Sequence, residues 1–298
     1  MTKPLGLAIT IKLLRAHYTN WLFIVICRVL RLEPRTLILR TGIRFDLPKS
    51  SGTFQILSLA RLLEAGWHVT HDGNRLVLLS DGHGTLVRCR FDQGFDIGHL
   101  AEIFLDKSYG SAFGGKVVVD VGMSNGDSAI FFAKNGAAKV VGLEPYRGSY
   151  DLAVRNIQLS GVSNIVSPLD AGLGESVGES ALNVSSMRPN ANSLVNSRGS
   201  HSDSQFDYLE EVKTITLEWI MSQFGLERID FLKMDCEGCE YEVFREISDS
   251  VLRSIQEIVL EFHSGARTIP SVLARSGFRV ETEGDTLGYL RAFREERP

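Results

Sequence analysis

Several things are scarce in this chain. Four cysteines in 298 residues are too few for the disulfide framework of a small secreted domain. A reducing, cytoplasmic setting is therefore expected. Long apolar runs are missing too. The most apolar stretch, Trp21 to Cys27, is ended by Arg28, whereas a membrane-spanning helix needs about 20 apolar residues. Lys12 and Arg15 interrupt the apolar N-terminal stretch, which argues against a secretory signal. Basic charge is not in excess: 32 Lys and Arg stand against 36 Asp and Glu, for a net charge of −4. An overall nucleic-acid footprint is absent, and no nucleic-acid partner is expected.

What is present fits a globular protein. Apolar residues make up 44% and charged residues 23%, enough to bury a core and too apolar for disorder. The length predicts one large domain or two modest ones. Composition and texture divide the chain into a small α+β N-terminal domain over 1–110 and a larger α/β domain over 111–298. In the first, a helical stretch through Val29 is expected to pack on its own domain rather than lie as a basic helix on a surface. Strands on either side of Thr41-Gly42 read as a hairpin. A helix follows from Gly52, capped by Ser50 or Ser51, and then three strands separated by Asp72-Gly73 and Asp81-Gly82.

From Lys116 onwards strands alternate with helices, which means βαβ units and a mainly parallel sheet. Val117 to Asp120 is a short apolar run suited to a strand buried on both faces. Strands ending at Glu144 and Asp170 follow, then Ile229–Asp235 and Glu257–His263. The last segments, around Gly284-Asp285, read as an antiparallel hairpin. Residues 176–204 hold nine Ser and four Asn and read as a polar loop, favoured as a mobile lid over the site. The strand after it is expected to return to the main sheet.

The most informative segment is Val117-Val-Val-Asp-Val-Gly-Met-Ser-Asn-Gly-Asp-Ser128. A strand ends in a carboxylate, and a glycine turn opens a helix. Ligands of open α/β sheets bind outside the carboxyl ends of strands where the order reverses. Gly122 permits a sharp turn and close backbone approach, and Gly126 lets the helix sit close behind. A dinucleotide would want G-x-G-x-x-G/A, but those positions are Gly122, Ser124 and Asp127. Asp127 also puts negative charge where a pyrophosphate would lie. Asp120 suits a cationic ligand, and S-adenosylmethionine is cationic and free of phosphate. Glu144, 24 residues beyond Asp120, is placed to accept from both ribose hydroxyls. Asp170 is placed to accept from an adenine amino group.

With these residues stand Gly142-Leu-Glu-Pro145, Lys233-Met-Asp-Cys-Glu-Gly-Cys-Glu-Tyr241 and Glu261-Phe-His263. Together they resemble the FkbM family of class I S-adenosylmethionine-dependent methyltransferases, over about residues 99–298. The resemblance implies a Rossmann-like seven-stranded sheet with a terminal antiparallel hairpin, and O-methylation of a small-molecule or glycan hydroxyl. It implies that Asp120, Gly122, Ser124, Asn125, Gly126, Asp127 and Ser128 hold the methionine part. Glu144 would hold the ribose, Asp170 and Ala171 the adenine with Tyr146 flanking its ring, and Pro145 would also border the cofactor. Met123-Ser124 stands where the family usually has Ala-Asn, and Cys236 and Cys239 replace commoner aliphatic or small residues.

The acceptor side is read from the fourth and fifth parallel strands. Side chains alternate along a strand, so Lys233 pairs with Asp235 and Glu261 with His263. An alcohol acceptor must lose a proton, and a base near pKa 7 is best matched to that task. His263 is the first candidate, with Asp235 to orient and Glu237 to bind the acceptor. Lys233 reads as an electrostatic partner of these acids. The spacing requires no metal, and none is expected. Cys236 and Cys239 have the spacing of a redox or zinc half-site. They lack a second pair and follow the fourth strand, so no redox role is expected. Two alternatives remain: a nicotinamide-dependent oxidoreductase, and a module that binds the donor without turnover.

Overall fold

The computed structural model describes residues 6–46, 53–72, 76–91, 93–194 and 206–294. The chain falls into two compact units. One comprises Met1–Gly110 with Leu159–Gly161, the other Ser111–Gln158 with Val162–Pro298.

The first unit opens with two helices, α1 (Leu7–His17) and α2 (Trp21–Val29), instead of one helical stretch. The break at Asn20 has a local cause. Its side chain donates to the Thr36 carbonyl at 2.7 Å and accepts from the Ile38 N–H at 3.0 Å, serving strand backbone as another strand would. The hairpin is present as β1 (Thr36–Ile38) and β2 (Arg44–Asp46). Helix α3 (Thr53–Glu64) follows; its expected caps, Ser50 and Ser51, lie outside the described residues. Strands β3 (His68–Asp72), β4 (Leu76–Ser80) and β5 (Leu86–Arg90) form an antiparallel sheet, and α4 (Asp96–Phe104) closes the unit. A buried Arg90–Asp96 pair, with two N–H···O bonds of 2.8 Å, fixes the turn between β5 and α4. Helix α2 departs from expectation on its outward side: only Ile24 and Cys27 are buried in it.

The second unit is built on β6 (Val117–Val121), α5 (Asp127–Lys134), β7 (Lys139–Leu143), α6 (Arg147–Leu159) and β8 (Val166–Leu169). Short β9 (Gly172–Leu173), β10 (Gly178–Val184), β11 (Ser193–Leu194) and β12 (Tyr208–Ile215) follow. The rest is α7 (Leu217–Phe224), β13 (Ile229–Met234), α8 (Cys239–Glu246), α9 (Asp249–Ser254), β14 (Ile255–Phe262), α10 (Ile269–Arg275), β15 (Phe278–Gly284) and β16 (Gly288–Arg294). The main sheet has seven strands in the order β15-β16-β14-β13-β6-β7-β8. Strands β14, β13, β6, β7 and β8 are parallel, and β16 and β15 close the edge as the antiparallel hairpin. This is the Rossmann-like α/β class that the strand pattern implies.

Strand composition accounts for the layering. Every residue of β13 is buried, as a strand covered on both faces requires. One face packs Val119, Val141, Leu232 and Ile258 into the core. On the other, Phe113, Phe132 and Phe231 meet edge-to-face or tilted, with ring centroids 4.8–5.5 Å apart. Helix α7 is delimited as its ends predict: Thr216 Oγ1 accepts from the Trp219 N–H, and Gly225 stops it in the left-handed region.

The Ser/Asn-rich segment differs from the loop expected. Near its start lies strand β10, and β12 pairs with β10 and β9 in a separate four-stranded sheet, not with the main sheet. Leu182, Val184, Leu194 and Val212 alternate inward and give this sheet its own small core. Residues 195–205 lie outside the described part.

Candidate functional site

The strand order reverses at β6, whose neighbours are β7 on one side and β13 on the other. Crevices of this kind are where such sheets bind ligands. The turn leaving β6 is set by sequence. Gly122 has φ +76°, and a Cβ there would run into the Asp235 carbonyl, so this position needs glycine twice over. Gly126, at φ +86°, caps α5, and a Cβ would press on Ala153 of α6 at 3.2 Å. Asn156 of α6 donates to the Asn125 carbonyl at 2.8 Å, which pins the turn from behind.

Glu144 sits just past β7. Its Oε2 accepts the Ser124 N–H at 2.9 Å and its Oε1 accepts the Tyr146 N–H at 2.9 Å. The carboxylate thus joins the turn after β6 to the one after β7 and has a fixed orientation. Ser124 takes φ +48°, and its Oγ accepts from Asn190 Nδ2 at 3.2 Å. The Ser/Asn-rich segment therefore reaches the turn through Asn190, a contact without a sequence signal. Pro145 and Tyr146 lie beside the small sheet: Tyr146 packs against its core, and Pro145 faces Gly172.

Two acids have partners other than those expected. Asp120 is fully buried; Lys233 Nζ lies 3.1 Å from it, and Ser128 Oγ donates to it at 2.6 Å. Its charge is met inside the protein, not offered to a ligand's cation. Lys233 Nζ also donates to the Gly122 carbonyl at 2.6 Å. Burial acts against the ammonium, but Asp120, Asp235 and Asp127 outweigh it and hold the Lys233 pKa above its usual range. Asp127 accepts the Ser128 N–H at 2.7 Å at the start of α5. Asp170 lies on the rim, with its carboxylate 2.8 Å from the Arg147 guanidinium. The Ala171 side chain is in the core, so only its backbone faces outward chemistry. The three strand-end acids thus form no common cationic grip.

The residues expected on the acceptor side do come together. Asp235 continues the ladder, its N–H donating to the Val121 carbonyl at 3.0 Å. One donor atom each from Asp235, Glu237 and His263 lies within 4.8 Å of the others, a spacing that ligands of a divalent ion can also adopt. His263 Nε2 is 3.4 Å from Glu237 and 3.9 Å from Glu261, and its ring is buried. Glu237 takes φ +54° in a turn held by a Cys236–Cys239 disulfide. That bond departs from the expectation of reduced thiols; Cys27 and Cys89 are buried and form no disulfide. Burial, then Asp235, Glu261 and Glu240, push the Glu237 pKa up to about 9. Burial does the same to Glu240, up to about 7. Tyr241 fastens the two acceptor-side loops together. Its hydroxyl donates to the Gly265 carbonyl and accepts the Ser264 N–H, both at 3.0 Å, under the Arg267 guanidinium 4.0 Å from the ring.

The fold defines an α/β protein with a crevice at the reversal of strand order, the place where such sheets bind ligands. Residues 120–283 match the family model described as the Methyltransferase FkbM domain, and the chain belongs to this family of methyltransferases. It is 28% identical over 229 residues to Methyltransferase sdnD of Sordaria araneosa, covering 65% of this chain and 88% of that protein. Among solved structures, Methyltransferase FkbM from Methylobacillus flagellatus KT shares 12% identity at a TM-score of 0.46, over 82% of this chain and 56% of that one. Magnesium protoporphyrin IX methyltransferase from Synechocystis PCC 6803 shares 13% at a TM-score of 0.39, over 67% and 82%. Family membership sets aside the oxidoreductase alternative.

Proposed function

We propose that this chain is an S-adenosylmethionine-dependent methyltransferase that methylates a hydroxyl of a small molecule or glycan. One observation carries the donor assignment. Glu144 is a buried acceptor, oriented by two backbone N–H groups at the reversal of strand order, and a fixed carboxylate is the natural partner of a vicinal diol. Bound there, the donor supplies an electrophilic methyl group on a sulfonium. The backbone of Gly122 to Gly126 borders the methionine part. Asp120 acts indirectly, holding Lys233, which in turn holds the Gly122 carbonyl. Pro145, Tyr146 and the backbone at Asp170-Ala171 border the adenine.

On the acceptor side, His263 Nε2 takes the hydroxyl proton. Glu237 carries its own proton near neutral pH because its pKa is raised, so it holds the acceptor by hydrogen bonding. Glu261, 3.9 Å from Nε2, offsets the charge the ring gains. Asp235 orients the acceptor oxygen. Methyl transfer is an in-line displacement, and orientation supplies roughly 7–11 kcal/mol to such steps.

The test is methyl transfer from S-adenosylmethionine to a panel of hydroxyl and amine acceptors, with calorimetry on S-adenosylhomocysteine. His263→Ala is expected to lower kcat by about 10²–10⁴-fold, the usual range for a general base, with unchanged affinity for S-adenosylhomocysteine. A wild-type kcat in that variant would remove His263 as base. No binding of either nucleoside would reject the donor, and binding without turnover would favour the non-catalytic module.

A further inference from the structure

Helix α2 and the turn after it present large apolar side chains outward. Leu22, Phe23, Ile26, Val29, Leu30 and Leu32 are each 47–74% exposed. Isolated exposed apolar residues are ordinary, but a contiguous set marks an interaction surface. The set is contiguous here. Leu22, Phe23, Ile26 and Val29 fall at i, i+1, i+4 and i+7, within about 120° of helix arc. The opposite side buries Ile24 and Cys27 into the protein's own core. Apart from Arg28, helix α2 is thus apolar, with one side buried and one side exposed.

The charge around this face is unlike that of the chain. Residues 6–46 contain seven Lys and Arg and two acidic residues, a net +5 within a protein whose total is −4. Arg28, Arg31 and Arg35 interleave with Val29, Leu30 and Leu32, and all three are exposed. Helix α1 packs beside α2 and turns Lys12 and Arg15 to solvent. An apolar face flanked by basic side chains complements one kind of surface well: headgroups that carry negative charge above an apolar layer. A protein groove would match the apolar face without needing this local reversal of charge.

We propose that the α1–α2 hairpin docks the protein on an anionic bilayer surface, with the α2 face inserted at the level of the headgroups. The segment lies on the membrane and does not cross it. No helix among the described residues is long and apolar enough to span, and the nine residues of α2 reach roughly 14 Å at 1.5 Å each, about half of a hydrocarbon core. Insertion of the apolar side chains supplies affinity, and Lys12, Arg15, Arg28, Arg31 and Arg35 supply preference for anionic lipid. This inference stands apart from the methyl-transfer reading and neither needs it nor supports it.

The experiment is sedimentation of the full chain with phosphatidylcholine vesicles, with and without phosphatidylserine. Binding is expected to be about tenfold or more tighter with phosphatidylserine and to weaken as salt rises, since each basic residue near an anionic surface is worth about 1 kcal/mol. The double variant Phe23→Glu with Ile26→Glu should lose binding to both vesicle types. Its circular dichroism should stay unchanged, because both side chains are exposed. Arg28→Glu with Arg31→Glu should lose the preference for phosphatidylserine. Failure of the wild-type chain to sediment with either vesicle would overturn the proposal. So would undiminished binding of the Phe23/Ile26 variant, or a lipid-free dimer in analytical ultracentrifugation that this variant abolishes, which would assign the face to a second copy.

Discussion

The two sides of the crevice treat negative charge differently. Next to β6 and β7, each acid meets a positive or donating group of the protein: Asp120 has Lys233 and Ser128, and Glu144 has two backbone N–H groups. Next to β13 and β14, burial and then Asp235, Glu261 and Glu240 raise the Glu237 pKa, and the His263 ring lies 3.4 Å from the carboxyl group. The first side is settled before any ligand arrives. On the second, burial and the neighbouring acids keep a proton on Glu237 near neutral pH, which suits the acceptor side of the proposed reaction. In the proposed function these are the donor side and the acceptor side, and they differ in how their charge is balanced.

Three changes sharpen this contrast. The largest effect is expected at the balanced side. Lys233→Met leaves Asp120 buried without its cation, and such losses cost about 3–5 kcal/mol. Urea unfolding should show it, and pairing the change with Asp120→Asn should recover part of the loss. A single variant with wild-type stability would mean that the pair holds nothing together. Next, Glu144→Ala should weaken binding of S-adenosylhomocysteine by about 1.5–3 kcal/mol, the range for hydrogen bonds to a charged group. Calorimetry that finds equal affinity would remove Glu144 from the ribose.

The smallest effect per measurement concerns the proton on Glu237. Its folded pKa of about 9 lies above its ordinary 4.5, so the folded state binds the extra proton. Stability from this group is therefore complete below about pH 4.5 and is lost as pH rises towards 9, by about 1.4 kcal/mol per pH unit. Glu237→Gln should flatten that slope, and unfolding at a series of pH values measures it. Parallel curves for the two proteins would show that Glu237 is charged in both states.

Much of this was legible in the sequence. Buried parallel strands read as apolar runs ending in acids, so β6, β7, β13 and β14 and the residues at their tips could be placed in advance. The glycine turn was legible because Gly122 and Gly126 are each demanded by backbone geometry. Partnership was legible only in part: Lys233 reads as an electrostatic partner of the acids near it, and Asp235 does act on it. Nothing in the chain says that Lys233, 113 residues after Asp120, will neutralise it, because ion pairs across a sheet depend on strand order. The Ser/Asn-rich segment misled because composition sees polarity, while Leu182, Val184 and Leu194 supply an alternation just sufficient for a small sheet. The helical N-terminal stretch packs within its own unit as read, but its bare outer face was not legible. An apolar residue looks the same in sequence whether its side of the helix is covered or bare.

The phenol of Tyr241 draws these threads to a mechanical consequence. It rivets the segment carrying Glu237 to the segment carrying His263, so that neither can swing without the other. The two segments are thereby held as one unit whose spacing is set at folding, and in the proposed reaction the acceptor would meet a gap of fixed width.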